Sequence, residues 1–330
     1  MINVRDYGAQ GTGSHDDSDA VRAALAAVPD NQGAIVYFPP GVYRLIASSA
    51  TPFRIKPKTI LLGSGRATQL WCHPAGNDVT FFVNQPATAG PDGYIDLRDF
   101  TLTLADGPTT SGMIGIDLGA NRCALSNVLF EYWNRYALRL RAAYGTHLDR
   151  CAFMSIQSWG NEAAVALRCE DACNAISIRR CEFNSCDKAI EMLATAPARN
   201  YAVTIENCLC EGGTPSANPH IAEQFLFARI DALRFAGNYI EAVPTWPAGG
   251  TPGGYLLRVT GCRAADIRNN YFQGLGAGNV PRSYGLIDVA DSDRILIESN
   301  DLENPCGGAF IRKSNSTGFG IRMNRYVPQI

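Results

Sequence analysis

Hydrophobic and polar positions recur along this chain in a frame of six residues. An apolar anchor is followed by a charged or polar residue, a polar pair and an apolar closing residue, as in residues 178–183, 267–272 and 297–302. The period inside the frame is two residues, which predicts strands rather than helices. The frame fits nine anchors, which are Leu97, Leu125, Leu148, Ile178, Ile205, Phe235, Ile267, Ile297 and Ile321.

Successive anchors are 23 to 32 residues apart. A repeat of this length with drifting spacing is typical of a solenoid whose turns carry insertions. Because a solenoid grows by adding turns, we expect residues 1–330 to form a single domain.

The third residue after each anchor is apolar in the first two repeats, cysteine in the next three and asparagine in the last four. In chain order these residues are Phe100, Val128, Cys151, Cys181, Cys208, Asn238, Asn270, Asn300 and Asn324. Stacked coils would therefore place cysteine on cysteine and asparagine on asparagine. Stacked asparagine side chains can hydrogen-bond along the solenoid axis, whereas free cysteines pack as small buried hydrophobic residues.

The chain has 11 cysteines at irregular spacings and no Cys-x-x-Cys pair. The odd count argues against a complete disulfide framework, and the spacings argue against a zinc ribbon. We therefore predict a ladder of buried thiols in a chain that folds in a reducing compartment. We predict no cofactor and no metal ligands, although a Ca²⁺ ion is not excluded.

Residues 1–45 differ from the repeat. A short strand and turn precede four polar residues at 16–19, which can cap a helix and place carboxylates in its first turn. Val21, Ala24, Leu25 and Val28 have the spacing of an amphipathic helix. Asp16 and Asp17 could also form a catalytic dyad, but their place at a helix start favours capping.

Three N-terminal features resemble the signature of the pectate-lyase-like superfamily. They are Asn-Val-Arg-Asp-Tyr-Gly-Ala at 3–9, the Asp pair before the alanine-rich helix, and Tyr-Phe-Pro-Pro-Gly-Val-Tyr at 37–43. One departure is Gly-Thr-Gly at 11–13, where the family often has Gly-Asp-Gly. The resemblance implies an all-β fold: a single-stranded right-handed parallel β-helix with a short N-terminal capping helix. We expect the cap at 1–45 and the coils at 46–330.

The same resemblance implies three strands in each coil, with stacked asparagines in the bend between the second and third. It also implies a function on polysaccharides, because the superfamily includes polysaccharide lyases, glycoside hydrolases and phage tailspike depolymerases. Substrate often lies along the first sheet or a neighbouring groove. The Gly-Asp-Asp and Gly-His-Gly segments of polygalacturonases are absent, as is the Trp-Ile-Asp-His strand of calcium pectate lyases. No catalytic set can therefore be transferred.

The strands upstream of the anchors are predicted to carry two outward columns. One contains Asp117, Arg139, Ala166, Glu191, Leu226, Arg258 and Asp288, and the other contains Arg141, Arg168, Leu193, Ala228 and Thr260. Parallel strands lie about 4.8 Å apart, so these side chains would form one exposed strip. Guanidinium groups beside aromatic rings suit an anionic sugar.

We predict the site near residues 115–195. The candidate catalytic residues are Glu191, Asp187, Arg139, Arg168 and Lys188, and the candidate substrate-binding residues are Trp133, Tyr136, Arg141, Trp159 and Glu162. In a lyase, Arg139 or Arg168 would neutralise a uronate carboxylate and Lys188 or Tyr136 would be the base. In a hydrolase, Glu191 would pair with Asp187 or Glu162. Alternatively, the strip is a solvated ladder of mixed charges.

A rival outward column follows the anchors. It contains Asp149, Arg179, Glu206, Ala236, Arg268, Glu298 and Arg322. We interpret it as a structural charge ladder. If it were functional, Asp149 and Glu206 would lie two coils, or about 9.6 Å, apart, near the upper limit for an inverting carboxylate pair.

The net charge of −2 indicates neither a nucleic-acid nor a membrane partner, and no apolar run approaches the length of a membrane span. The expected partner is a polysaccharide, and the expected assembly is a monomer or a homotrimer. The N-terminus does not resemble a signal peptide, which favours cytoplasmic synthesis, a virion-associated protein or a chain whose signal has been removed. The main functional prediction is a polysaccharide-cleaving enzyme, either lyase or glycoside hydrolase. The alternative is a non-catalytic glycan-binding or structural module, such as a phage tail receptor-binding protein.

Overall fold

The anchors lie in parallel strands that stack from one coil to the next. A computed structural model describes residues 1–30, 32–84, 93–105, 111–158, 163–211, 223–242, 255–274, 285–303 and 309–327. Its strands pair in parallel throughout and form three columns, which we name the first, second and third sheets. The predicted all-β parallel β-helix with one short α-helix is therefore confirmed.

Within the described residues the first sheet has ten strands, and the second and third sheets run beside each other along the rest of each coil. The first sheet contains Phe53–Ile55, Thr80–Asn84, Ile114–Leu118, Tyr136–Arg141, Val165–Glu170, Lys188–Met192, Glu223–Ala228, Tyr255–Thr260, Gly285–Ala290 and Ile311–Ser314. The second sheet contains Ile2–Asn3, Ala34–Tyr37, Thr59–Leu62, Asp96–Leu104, Ala124–Glu131, His147–Asp149, Asn174–Arg179, Asn200–Glu206, Ile230–Ala236, Arg263–Arg268, Asp293–Glu298 and Gly320–Arg322. The third sheet contains Thr12–Asp16, Gly41–Ala47, Thr68–Pro74, Ala152–Met154, Glu182–Asn184, Leu209–Glu211, Tyr239–Ala242, Tyr271–Gly274, Asp301–Glu303 and Arg325–Val327. The strands Asp96–Leu104 and Ala124–Glu131 continue from the second sheet into the third.

The N-terminal helix covers the first coils. After a 3-10 helix at Val4–Tyr7, the α-helix spans Ser18–Ala26 and buries Val21, Ala24 and Leu25 against the core, as their spacing predicts. Asp16 accepts a hydrogen bond at 3.0 Å from the amide of Ser18, the first residue of the helix, whereas the side chain of Asp17 at the N-cap position makes no capping bond. Asp17 is completely buried, and its carboxylate accepts bonds from the amides of residues 10 and 11. Both carboxylates therefore have structural roles.

A left-handed residue produces the bend between the second and third sheets. The residue two positions after each anchor has φ between 51° and 66°, and these residues are Asp99, Asn127, Arg150, Arg180, Asn207, Gly237, Asn269, Ser299 and Met323. This backbone conformation is uncommon outside glycine, asparagine and aspartate. Its repetition gives these nine coils the same backbone turn between the second and third sheets.

The next residue in the bend forms the predicted ladders. The amide of Asn238 donates to the side-chain oxygen of Asn270, and the amide of Asn270 donates to that of Asn300, both at 2.9 Å. The asparagine ladder also reaches the cysteines, because the amide of Cys208 donates to Asn238 at 2.9 Å. The backbone of the bend is thus hydrogen-bonded by side chains from the following coil.

The cysteines within the described residues are all free and buried. Burial raises the pKa of Cys123 and Cys262 to about 11 and that of Cys210 to about 12. These thiols therefore remain protonated and pack as small apolar groups. The predicted ladder of Cys151, Cys181 and Cys208 is confirmed as free, buried thiols at equivalent positions of successive coils, and Cys306 lies outside the described residues.

Candidate functional site

The outer face of the first sheet carries a column of charged residues. Strand register aligns Asp117, Arg139, Arg168, Glu191, Leu226, Arg258, Asp288 and Arg312 in successive coils. We call this column, with its outward neighbours Tyr136, Arg141, Glu170, Lys188, Glu223 and Tyr255, the charged strip. The predicted column was wrong in one coil, because Arg168 occupies the place expected for Ala166. In the second column Glu170, not Arg168, lies beside Arg141.

The charged strip is wide because two consecutive residues near the start of a strand are buried, which lets the residue before them face outward. In the strand Tyr136–Arg141, Ala137 and Leu138 are both buried, so Tyr136 and Arg139 both face outward. The strands Lys188–Met192 and Tyr255–Thr260 also bury their second and third residues. Simple alternation would have turned the residue at the strand start towards the core.

Asp117 anchors the N-terminal part of the strip. Its carboxylate is bonded to the guanidinium group of Arg139 and, at 2.8 Å, to Nε of Arg141. The side chain of Asp117 is 3% exposed, whereas that of Arg141 is 47% exposed. One buried carboxylate therefore fixes two arginines, and one of these extends into solvent.

Glu191 occupies the centre of the strip. Its carboxylate binds Arg168, and it accepts a bond from Nζ of Lys188 at 2.9 Å. Arg168 also binds Glu170 at 2.8 Å. Lys188 continues the chain of contacts to Glu223, again at 2.9 Å.

Asp288 organises the C-terminal part of the strip. Arg312 forms a fork with it, with two contacts of 2.8 Å, and Nε of Arg258 lies 3.1 Å from the same carboxylate. This hydrogen bonding raises the pKa of the Arg312 guanidinium above its ordinary value. Arg258 also lies 3.6 Å from Glu223, which completes a continuous ion-pair network from Lys188 to Arg312.

The two signs of charge differ in depth. The carboxylates of Asp117, Glu191, Glu223 and Asp288 are between 2% and 8% exposed. Their cationic partners lie above them, and Arg312 is as exposed as Arg141, at 47%. At Arg141 and Arg312 an approaching molecule therefore meets guanidinium groups before it meets these four carboxylates, whereas Glu170 is more exposed than its partner Arg168, at 24% against 17%.

Aromatic rings lie beneath several of these cations. The guanidinium carbons of Arg135, Arg139 and Arg168 are 5.4, 5.8 and 5.7 Å from the centre of the Tyr136 ring. Arg312 lies 4.5 Å above the ring of Tyr255. Burial raises the pKa of Tyr255 above its ordinary value. Cation–π contacts of this kind orient guanidinium groups without using their hydrogen-bond donors.

Six predicted site residues come together in the charged strip. They are Arg139, Arg168, Lys188, Glu191, Tyr136 and Arg141. The predicted residues Trp159 and Glu162 lie outside the described residues.

Trp133 and Asp187 have structural positions that the sequence did not predict. Trp133 is completely buried, contacts Phe81 edge to face and donates to the carbonyl of Leu102 at 3.1 Å. Its ring therefore cannot stack on a sugar, and the expected substrate contact is wrong for this residue. Asp187 is 2% exposed and accepts bonds from the amides of Ser158 and Ala164 at 2.8 and 3.1 Å. It therefore fixes the backbone on both sides of residues 159–162 and is poorly placed to pair with Glu191 on a substrate.

Several members of the strip were not predicted as site residues. Arg312 and Glu223 were missed entirely, and Asp117, Arg258 and Asp288 were recognised only as members of a column. The available signal was the repeat itself, since Arg312 takes the place of Asp288 in the following coil.

The rival column on the second sheet has the expected register. Asp149, Arg179 and Glu206 align in successive coils. Glu206 binds both Arg179 and Arg234, and Asp149 binds Arg180. The ion pairs support the interpretation of this column as a structural charge ladder.

On the third sheet, two tyrosines are hydrogen-bonded to glutamates. Tyr239 and Tyr271 stack with ring centres 5.0 Å apart, and their hydroxyl groups donate to Glu241 and Glu303 at 2.7 and 2.8 Å. The bond to Glu241 raises the pKa of Tyr239 to about 12, and burial together with the bond to Glu303 does the same for Tyr271.

The described parts of the chain contain no group of three or more His, Cys, Asp or Glu residues arranged to hold a metal ion. Nor do they contain a helix long and apolar enough to cross a membrane.

Comparison with models of known protein families identifies the family of this chain. Residues 1–213 match the model of the family described as rhamnogalacturonase A/epimerase, pectate lyase-like. The chain belongs to this family. The resemblance seen at the N-terminus is therefore confirmed and extends well into the coils.

Two curated relatives match shorter segments. One segment of 66 residues is 39% identical to alginate lyase 7 of Azotobacter vinelandii, and it covers 19% of this chain and 8% of that protein. Another of 140 residues is 31% identical to the mannuronan C5-epimerase AlgE3 of the same organism, and it covers 41% of this chain and 7% of the epimerase. The matched segments are thus less than a tenth of the length of each relative.

Solved structures share the fold over nearly the whole chain. A mutant tailspike protein of E. coli bacteriophage HK620 in complex with a pentasaccharide has a TM-score of 0.65 at 13% identity, and the match covers 98% of this chain and 66% of that chain. The surface adhesin PfbA of Streptococcus pneumoniae has a TM-score of 0.63 at 15% identity, with coverages of 99% and 93%. The A-module of the epimerase AlgE6 of Azotobacter vinelandii has a TM-score of 0.55 at 13% identity, with both chains fully covered. At these identities the likeness concerns the fold alone.

Proposed function

We propose that this protein binds an acidic polysaccharide along the charged strip and cleaves it by β-elimination. The observation that carries the proposal is the difference in depth between the two signs of charge. Carboxylates that are almost fully buried hold arginines whose outer edges face solvent. A guanidinium fork pairs with a carboxylate through two parallel hydrogen bonds, so an ordered row of arginines suits a polymer with regularly spaced carboxylates.

The names of two relatives support an acidic substrate. Alginate and mannuronan, in the names of the lyase and the epimerase that the chain partly matches, are uronate polymers. Family membership supports a carbohydrate-active protein in the same way.

Elimination requires a cation on the uronate carboxylate and a base for the proton beside it. The base takes the C5 proton, the C5–H electrons form a C4–C5 double bond, and the glycosidic oxygen leaves and is protonated. Arg139 and Arg168 flank Tyr136, so they would pair with the carboxylate. Tyr136, as the phenolate, would take the C5 proton and, as the resulting phenol, pass it to the leaving glycosidic oxygen. Hydrolysis has less support, because Glu191 is bonded to two cations and Asp187 accepts backbone amides.

A second candidate function is binding without cleavage. It is favoured by the ion pairing of the strip, in which each described carboxylate is bonded to at least one cation. Such a network can position a ligand without cleaving it. Cleavage would need Tyr136 to act as the acid and base, because the carboxylates are already paired with cations.

The test combines product formation with binding. Purified protein is incubated with alginate, polygalacturonate and hyaluronate, and the ultraviolet absorbance of the unsaturated product is followed. We expect absorbance with at least one polymer and its loss in Tyr136→Phe, which removes only the hydroxyl group. Binding is measured separately by affinity electrophoresis in gels that contain the polymer.

Arginine variants locate the binding face. Arg141→Ala and Arg312→Ala each remove a half-exposed guanidinium group, and we expect affinity to fall about tenfold in each, as for a lost charge-assisted hydrogen bond. The matched control is Arg325→Ala, an exposed arginine on the third sheet, which should leave affinity unchanged. Binding with neither an unsaturated product nor new reducing ends would select the second candidate, and new reducing ends alone would select hydrolysis. Failure to bind any acidic polymer would overturn both.

A further inference from the structure

We propose that an extended glycan also stacks on a row of tyrosines at the corner between the first and second sheets. This corner row consists of Tyr144, Asn174 and Tyr201 in three successive coils. Tyr144 pairs with Asn174 through a parallel bridge, and Asn174 pairs with Tyr201 in the second sheet. This inference rests on the proposed function for its class of ligand, an acidic polysaccharide, but its residues lie outside the charged strip.

Both tyrosine rings are available to a ligand. Tyr144 is 46% exposed and Tyr201 is 44% exposed. Among the described residues neither ring contacts another aromatic ring or a cation. Two other exposed tyrosines differ, because Tyr239 is stacked on Tyr271 and Tyr94 has the guanidinium group of Arg122 at 5.1 Å. Those rings already use a face within the protein.

The spacing of the pair matches a polymer rather than a single sugar. Two coil steps separate Tyr144 from Tyr201, which corresponds to about 9.6 Å along the solenoid axis. This is close to the length of two sugar residues in an extended β-1,4-linked chain, which presents the same ring face at every second sugar. Tyrosine rings stack on such apolar sugar faces. Asn174, between them, offers an amide donor and acceptor to the hydroxyl groups of the intervening sugar.

The corner row is continuous with the charged strip. Tyr144 follows Arg141 by three residues, at the end of the strand Tyr136–Arg141. Asn174 likewise follows Glu170, which ends the next strand of the first sheet. A chain lying along the corner can therefore place ring faces on the tyrosines and carboxylates towards Arg141. The row would thus select linear polyuronates with an extended two-sugar repeat over branched or strongly coiled ones.

The test uses oligomannuronates of two to eight sugars and isothermal titration calorimetry. We expect the affinity of the wild-type protein to rise once an oligosaccharide is long enough to span both tyrosines. Tyr144→Ala and Tyr201→Ala should each lower the affinity for the longest oligosaccharide about tenfold, which corresponds to about 1.4 kcal/mol. The gain with chain length should disappear in either variant. Tyr144→Phe should bind as the wild type does, because stacking requires the ring and not the hydroxyl group.

The controls separate this inference from the proposed function. Tyr239→Ala removes an exposed tyrosine from the third sheet and should not change affinity. Loss of binding in Arg141→Ala and Arg312→Ala with full affinity in both tyrosine variants would overturn the corner row and leave the strip. Loss in the tyrosine variants alone would support the corner row and overturn the strip. An equal loss in Tyr239→Ala would also overturn the corner row.

Discussion

Two ion pairs connect the same two coils at the C-terminal end of the described chain. Asp288 binds Arg312 on the first sheet, and Asp301 binds Arg325 on the third sheet. In each pair Nε and Nη2 of the arginine form a fork with the carboxylate, at 2.8 and 2.8 Å in the first pair and 2.8 and 3.1 Å in the second. Their burial differs, since the side chain of Asp288 is 2% exposed and that of Asp301 is 43% exposed.

The same fork therefore has different consequences on the two faces. An exposed pair gains little, because water already solvates both charges. A buried carboxylate depends on its partners, since removing either side leaves an uncompensated charge in a medium of low dielectric constant. The first sheet can hold its arginines outward because their carboxylates are buried beneath them. The third sheet lacks this layering in the pair at Asp301.

The largest expected difference comes from neutralising each carboxylate. Asp288→Asn should lower the free energy of unfolding by about 3 kcal/mol, because Arg258 and Arg312 both lose their shared partner. The matched variant Asp301→Asn should lower it by less than about 1 kcal/mol. Urea unfolding with an unchanged denaturant slope is the measurement. Equal effects in the two variants would show that burial does not separate the pairs.

A high salt concentration should further separate the effects of Asp288→Asn and Asp301→Asn on the free energy of unfolding, by less than the substitutions themselves do. At 1 M NaCl the screening length is about 3 Å, so the exposed pair should lose its remaining contribution. Asp301→Asn and the wild-type protein should then have the same stability in urea. The effect of Asp288→Asn should persist at the same salt concentration. A loss of both effects would mean that solvent reaches the first-sheet pair.

The smallest expected effect concerns alkaline pH on the third sheet. The pKa values of Tyr239 and Tyr271 are raised to about 12 in the folded protein, above the ordinary value of 10.0. The folded state thus holds these protons more tightly, and the resulting stability is present below pH 10 and lost as pH rises towards 12. The melting temperature of Tyr239→Phe/Tyr271→Phe should fall less steeply over this range than that of the wild type. Parallel curves would contradict these shifts.

Much of the fold could be predicted because the repeat places equivalent residues in register. The positions of Asn238, Asn270 and Cys208 in the bend followed from counting three residues past each anchor, and their hydrogen bonds agree with this. The left-handed residue before them was less visible. Asn127 and Gly237 are typical of that conformation, but Arg150, Arg180 and Met323 occupy it in other coils.

The site was harder to predict because it depends on contacts between distant residues. Trp133 occupies space left open by Gly115, where an added Cβ atom would lie 3.0 Å from the indole ring. No local pattern around Trp133 reveals that contact. The shift of Arg168 by two positions is a difference of register between coils, because Leu167, and not Val165, pairs with Leu138. A shift of two residues keeps the same face of the strand, so alternation within the strand could not reveal it.

Because the left-handed bend recurs at the same position, each coil can be added or removed as a unit of fixed length. Asn269 and Ser299 occupy the same position in successive coils and share a φ of 54°. A segment duplicated between two such positions would begin and end in matching backbone conformations. Each copy would lengthen the molecule by about 4.8 Å and add one more row to every face. Under the proposed function, the number of coils therefore sets how many sugar units a face of the protein can bind.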